Sequence, residues 1–239
     1  MTGMTLLSLR TQVTSLVGKG ETPPTTGRLF DDINYFANSV LTSIYNAGDW
    51  LWKRERATVS SGTNQAYIDL PTDFDTLQTD IIYPTVTTNL SIRLTTDQES
   101  FEAQEQANSG RTGQPVLGYI EFDSTSNVYR MRVTPTADAI RAYNLHYNRM
   151  APTLTDNAHT PKMPVDWQSA WLSGVVWWVT MTVHGREAAD RLYDAYRVQW
   201  RDVLQRANSE LARQPRRQNT RIFRNVLNPM GFFPGSNRR

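Results

Sequence analysis

Apolar positions recur three and four residues apart at both ends of this chain, and in steps of two through its middle. Residues 4–17 place Leu6, Leu9, Val13, Leu16 and Val17 on one helical face, with Ser8, Thr11, Gln12 and Ser15 opposite. Gly18, Gly20, Pro23 and Pro24 interrupt the pattern. A second helix is predicted over 28–46, with Leu29, Phe30, Ile33, Phe36, Ala37, Val40, Leu41, Ile44 and Tyr45 on one wide face. Thr26 is its expected N-cap, and Gly48 its expected left-handed terminator.

From Trp50 the period becomes two. Residues 50–59 read as a strand, and the turn Ser60-Ser61-Gly62-Thr63-Asn64 leads to a partner strand near 65–70, predicting a hairpin. Further strands are expected near 79–83 and 90–95. Thr96 and Glu99 have capping-box spacing and predict a helix over 97–108. Segments 116–122, 128–134 and 140–149 read as a three-strand meander. In the last of them Tyr143, Leu145 and Tyr147 share one face, and Ala142, Asn144, His146 and Asn148 the other.

A loop with Pro152, Pro161 and Pro164 precedes two more helices. Asp166 is the expected cap of the first, whose apolar residues (Trp167, Trp171, Gly174, Trp178; Leu172, Val175, Val179) occupy more than one face. His184-Gly185 predicts a tight reversal into an amphipathic helix over 186–211, striped by Ala189, Leu192, Tyr196, Trp200, Val203, Ala207 and Leu211. Its polar face offers Glu187–Arg191 and Asp202–Arg206 pairs. Each terminal helix pair hides only half of an apolar face, and packing the two pairs together would hide both. The expectation is therefore an α+β fold: a four-helix bundle assembled from the N- and C-terminal helix pairs, with an inserted antiparallel β domain and an extended C-terminal arm. Its segments are 1–48 (first half of the bundle), 49–150 (β domain), 151–212 (loop and second half) and 213–239 (arm).

Charge singles out that last segment. Of 239 residues, 25 are basic and 23 acidic; seven of the arginines and none of the acids lie in 213–239. Residues 1–212 thus hold 18 basic against 23 acidic groups, a net charge of −5. A mildly acidic body with a +7 arm differs from a uniformly basic protein. The base is almost all arginine, since the lysines are Lys19, Lys53 and Lys162. A solvated tail would be poor in apolar groups. Here Arg216, Arg217, Arg221 and Arg224 interleave with Ile222, Phe223, Phe232 and Phe233. Each large apolar side chain left in water forgoes about 1.5–3 kcal/mol. These eight residues are the candidate partner-binding set, suited to a protein surface with apolar pockets and acidic or backbone acceptors. The alternatives are nucleic-acid contact, through arginines and stacked phenylalanines, and a tail packed internally or inert.

Other chemistry is sparse. There are no cysteines, which excludes disulfides, thiolate zinc sites and cysteine nucleophiles. His146, His159 and His184 are scattered, and Asp73, Asp75 and Asp80 lack the glycine and spacing of a calcium loop. No nucleophile elbow, phosphate loop or dinucleotide fingerprint occurs, so no cofactor, metal or catalytic residue is expected. The acids Glu187, Asp190, Asp194 and Asp202 argue against the last helix as a DNA-reading helix. Residues 1–17 lack the pattern of a secretory leader, and the apolar run 170–183 falls short of the ~20 residues that span a bilayer.

The order of elements resembles the head-to-tail adaptor (connector) proteins of tailed bacteriophages. The resemblance rests on the short first helix (LLSLRTQVTSLVG), the aromatic second helix, Trp50-Leu51-Trp52, the element Leu70-Pro71-Thr72-Asp73-Phe74, and the closing helix pair. It covers most of 4–211. Read from residues alone, Leu70, Pro71, Asp73 and Phe74 form a strand-ending turn. The resemblance implies a non-enzymatic virion protein of the neck, assembled in the host cytoplasm. It further implies rings of about twelve copies with head-to-tail contacts, seated between the portal protein and the tail (nozzle or tube) proteins. Genomic DNA would pass through the ring without sequence-specific contact, no membrane would be involved, and the C-terminal arm would dock on the portal. The alternative is a nucleic-acid-binding module using the arginine-rich tail.

Overall fold

The structure, a computed structural model, describes residues 3–20, 22–48 and 50–212. The chain divides into two compact units: residues 1–53 with 151–239, and residues 54–150.

The first unit is helical. Helix α1 (Leu6–Leu16) buries Leu6, Leu9 and Val13, and Thr5 caps it by accepting from Ser8 N. Leu16 is 62% exposed, whereas Arg10 and Thr14 lie on the buried side. Helix α2 (Arg28–Asn46) buries Ile33, Ala37, Val40, Leu41, Ile44 and Tyr45. Its N-cap is Gly27, with no side-chain cap, and Ala47 ends it in a right-handed conformation. Thr26 therefore does not cap it, and the residue that ends it is Ala47, one before Gly48. Trp50-Leu51-Trp52-Lys53 forms a tight turn rather than the start of a strand. Trp50 there is fully buried and donates its indole N–H to Ile44 O at 2.7 Å.

Helix α4 (Gln168–His184) follows a single helical turn over Val165–Trp167; its N-cap is Trp167, not Asp166. Gly185, at φ 83°, reverses the chain into α5 (Arg186–Ala212). At Gly174 a Cβ would stand 2.7 Å from a Val40 methyl and 3.0 Å from the Tyr196 ring, so glycine lets three helices meet. On α5 the described ion pair is Asp194–Arg197 at 3.5 Å.

The second unit is built on β1 (Arg54–Ser61), β2 (Tyr67–Asp69), β3 (Phe74–Leu77), β4 (Ile81–Pro84), β5 (Ile92–Thr95), helix α3 (Gln98–Ala107), β6 (Thr112–Gly113), β7 (Leu117–Asp123), β8 (Val128–Thr134), β9 (Thr136–Ala137) and β10 (Arg141–Arg149). Eight strands form one sheet in the order β1-β10-β4-β5-β7-β8-β2, with β3 also paired to β10. The end strands β1 and β2 come back into contact, so the sheet curls into a nearly closed barrel. Its interior holds Ile68, Phe74, Ile82, Ile92, Met131, Val133, Tyr143 and Leu145. Asp97, not Thr96, caps α3, accepting from Ser100 N.

These findings overturn the expected architecture. The molecule is not a four-helix bundle with an inserted antiparallel β domain; the described residues form five α-helices and a large, nearly closed eight-stranded sheet. Two physical reasons account for the error. Helix α4 is apolar nearly all round, so α1, α2 and α5 each pack on it as a shared centre instead of forming a square of equal stripes. In the sheet, alternation fixes which side chains face inward but not which strand lies alongside. The expected β1–β2 hairpin does not form a ladder: β1 pairs with β10 from Arg54↔Asn148 to Ser61↔Arg141, and β2 pairs with β8. The meander keeps β7–β8, but β10 leaves it for β1, β3 and β4. The sheet is not purely antiparallel either. β5 and β7 run parallel, a pairing that requires a crossover, and α3 lies in that crossover.

Candidate functional site

The eight partner-binding candidates Arg216, Arg217, Arg221, Ile222, Phe223, Arg224, Phe232 and Phe233 lie outside the described residues. The other sequence-derived set can be placed. Leu70 and Phe74 are buried in the β unit's core, and Phe74 N donates to Pro71 O at 3.0 Å, closing a tight turn. Asp73 accepts at Oδ1 from the Tyr147 hydroxyl at 2.8 Å, and its carbonyl accepts from Met150 N at 2.7 Å. The Phe74 ring lies between Tyr129 and Tyr147, at 5.6 and 5.9 Å between centroids. Burial first, then the bond to Asp73, drives the Tyr147 hydroxyl pKa above its usual value. Asp73 and Phe74 therefore tie this turn and β3 to β10.

The helical unit contains a feature of a different kind. An open groove of about 1090 Å³ runs along α2, bounded by α1, the 153–155 segment and Trp178 of α4. Phe36 stacks on Trp178 at 5.4 Å, and the exposed Tyr35 ring meets Phe36 edge-on at 5.2 Å. Asn38 ties the far wall to α2: its Nδ2 donates to Leu154 O at 3.1 Å, and its Oδ1 accepts from Leu154 N at 2.7 Å.

Arg10 also lines this groove, and only 5% of it is exposed. Its Nε donates to Asn34 Oδ1 at 2.8 Å, Nη1 donates to Asn157 Oδ1, and the guanidinium sits 4.5 Å from the Phe30 ring centre. All three partners are uncharged. Burial is the cause that lowers the Arg10 pKa from its ordinary value; no carboxylate raises it back. The arginines of the β unit contrast with this. Arg130 bridges Asp69 and Asp123, Arg132 bridges Glu105 and Glu121, Arg141 pairs with Asp138, and Arg149 with Glu55.

The family model for the SU10 adaptor protein matches residues 4–226, nearly the whole chain. The chain belongs to that family of phage head-to-tail adaptors. It is thus a bacteriophage adaptor protein of the virion neck, working with portal and tail components. Among curated proteins the adaptor has no match.

The remaining sequence candidates are structural in the adaptor. His184 Nε2 lies 2.9 Å from Val17 O, tying the end of α4 to the end of α1. His159 Nδ1 accepts from the backbone N–H groups of Thr155 and Asp156, at 3.2 Å each. His146 stands opposite Arg56 across the β1–β10 ladder. Among the described residues no three His, Asp or Glu side chains gather as a metal site, and no helix is long and apolar enough to cross a membrane.

Sequence reasoning missed the Arg10 groove. Its signal was available, because Arg10 sits one turn after Leu6 and one residue after Leu9, on the apolar face of α1. A charged residue in an apolar stripe either snorkels to water or keeps a polar appointment inside. Arg10 does the second.

Proposed function

We propose that the adaptor works as a closed ring of about twelve copies with head-to-tail contacts between neighbours, inserted between portal and tail. The helical unit makes the contacts within the ring and toward the portal, and the β unit faces the tail. The arm, residues 213–239, docks on the portal through Arg216, Arg217, Arg221 and Arg224, with Ile222, Phe223, Phe232 and Phe233 filling apolar pockets. The ring extends the DNA channel, and the body's net charge of −5 limits the phosphate contacts that would retard passage.

One observation carries the reading. The family match runs on beyond residue 212 to residue 226, into the segment that holds five of the arm's seven arginines with Ile222 and Phe223. A segment this rich in both cations and large apolar side chains is suited to a protein surface with apolar pockets and acidic or backbone acceptors.

The test compares the full chain with a chain ending at residue 212, each mixed with purified portal. Both should show the same tryptophan emission and helical circular dichroism. The full chain should co-sediment with portal, and the shortened chain should not. Equal co-sedimentation would remove the arm from the account. Binding that moves to DNA, with a steep inverse dependence on salt, would favour a nucleic-acid module.

A further inference from the structure

Arg10 is a buried cation whose described partners are two amide oxygens and an aromatic face. A guanidinium offers five N–H donors in a planar fork matched to a carboxylate. Taking such a charge out of water costs several kcal/mol unless an opposite charge compensates it. Within its own chain the described residues supply no carboxylate for it. The groove that Arg10 lines is open, walled on one side by Phe36 and Trp178, and rimmed by the exposed Tyr35. The Trp178 indole N–H is itself buried without an acceptor.

We propose that this groove receives a segment of a partner protein that carries a carboxylate beside an aromatic or aliphatic side chain. The carboxylate pairs with the Arg10 guanidinium, and the apolar neighbour lies against Phe36 and Trp178. Charge selects this occupant over the obvious intramolecular one. The adaptor's own arm has no acidic residue, carries +7, and would bring like charge to Arg10. Nucleic acid is also a poor fit. Arg10 is the one cation among the lining residues, and phosphate backbones are held by several. The groove, with room for a few side chains, suits a short segment anchored by one charge and one ring. This site is separate from the arm, so it stands or falls independently of portal docking through 213–239. An adaptor equipped with both would present two recognition devices to the neck, a cationic arm and a cationic groove.

A random heptapeptide library displayed on beads and selected on the immobilised full-length adaptor tests the proposal. Peptides with Asp or Glu next to Phe, Trp, Tyr or Leu should be enriched. Their binding should fall at least tenfold on Arg10→Gln and be partly kept by Arg10→Lys. Thr42→Trp fills the groove from an exposed position and leaves Arg10 in place, so it covers the case in which Arg10→Gln fails to fold; it too should lower binding at least tenfold. Enrichment of neutral or basic peptides, arm-like sequences included, would overturn the proposal. So would acidic peptides bound equally by Thr42→Trp, or the absence of any groove-dependent peptide. A change in self-association caused by Thr42→Trp would assign the groove to a second copy and likewise overturn it.

Discussion

The two units differ in how they hold their arginines and in how many buried polar atoms they leave unmatched. In the β unit, arginines are matched to carboxylates across strands, as Arg130 is to Asp69 and Asp123, and Arg149 to Glu55. In the helical unit, large aromatic rings fill the space and several polar atoms go unmatched. All seven tryptophans lie within residues 1–53 and 151–239. A ladder of rings runs from Phe36 through Trp178, Trp177 and Tyr196 to Trp200. Among the described residues Trp178 Nε1, Thr180 Oγ1, Tyr196 Oη and Trp200 Nε1 are buried without hydrogen-bond partners. Each such atom costs about 1–3 kcal/mol relative to a satisfied one. The β unit pins four of its arginines with carboxylates and leaves the buried Tyr143 hydroxyl unmatched. The helical unit is built by volume and keeps unmet donors, Arg10 among buried polar groups without a charge partner, where contact with other proteins is proposed.

Because the tryptophans are confined to one unit, their fluorescence reads that unit alone, and substitutions can be scored unit by unit. Trp171→Ala removes a fully buried ring that also donates to Ala37 O at 2.8 Å, and should cost about 3–5 kcal/mol. The urea midpoint followed by tryptophan emission should fall, while near-ultraviolet signals of the β unit's tyrosines hold. Loss of both signals together would show that the units do not unfold separately. Gly174→Ala drives a methyl into Val40 and Tyr196 and should cost about 1–3 kcal/mol by the same emission readout. No loss would mean that the helices part easily there. Tyr147→Phe deletes the bond to Asp73 and should lower β-unit stability by about 1 kcal/mol, leaving tryptophan emission unmoved.

Titration gives a smaller contrast. In the β unit, the carboxyls of Asp97, Asp123 and Asp138 are held below their ordinary value by hydrogen bonds, first of all from Ser100, Ser126 and Arg141 respectively. Groups depressed in the folded state bind fewer protons there than when unfolded. Their contribution is present above about pH 3.8 and is lost as pH falls through the folded values. Acid should therefore loosen the β unit first, read by circular dichroism against tryptophan emission. Alkali does not discriminate. Burial pushes Tyr196 in the helical unit up to about 12 and raises Tyr143 and Tyr147 in the β unit. The folded state then holds protons that the unfolded chain releases, so both units should lose stability above pH 10.

Much of this was legible in the sequence. Helical spacing located α1, α2 and α5, and the apolar run 170–183 located α4, which is buried on several sides. The inward face Tyr143, Leu145, Tyr147 followed from period two. Neighbours in the sheet were not legible. Nothing local in Arg54–Ser61 specifies β10, some 80 residues on, as its partner. Caps shifted by one residue at α2, α3 and α4, where adjacent residues compete for one short geometric role. Arg10 was overlooked because a stripe was read for its leucines, not for the charge among them.

The account depends most on the ring. Electron microscopy of the full-length adaptor mixed with its portal addresses that claim directly. Closed rings of about twelve adaptor copies, each seated on a portal, are the expected result. Portals that remain bare, or adaptors bound singly without closing a ring, would contradict it.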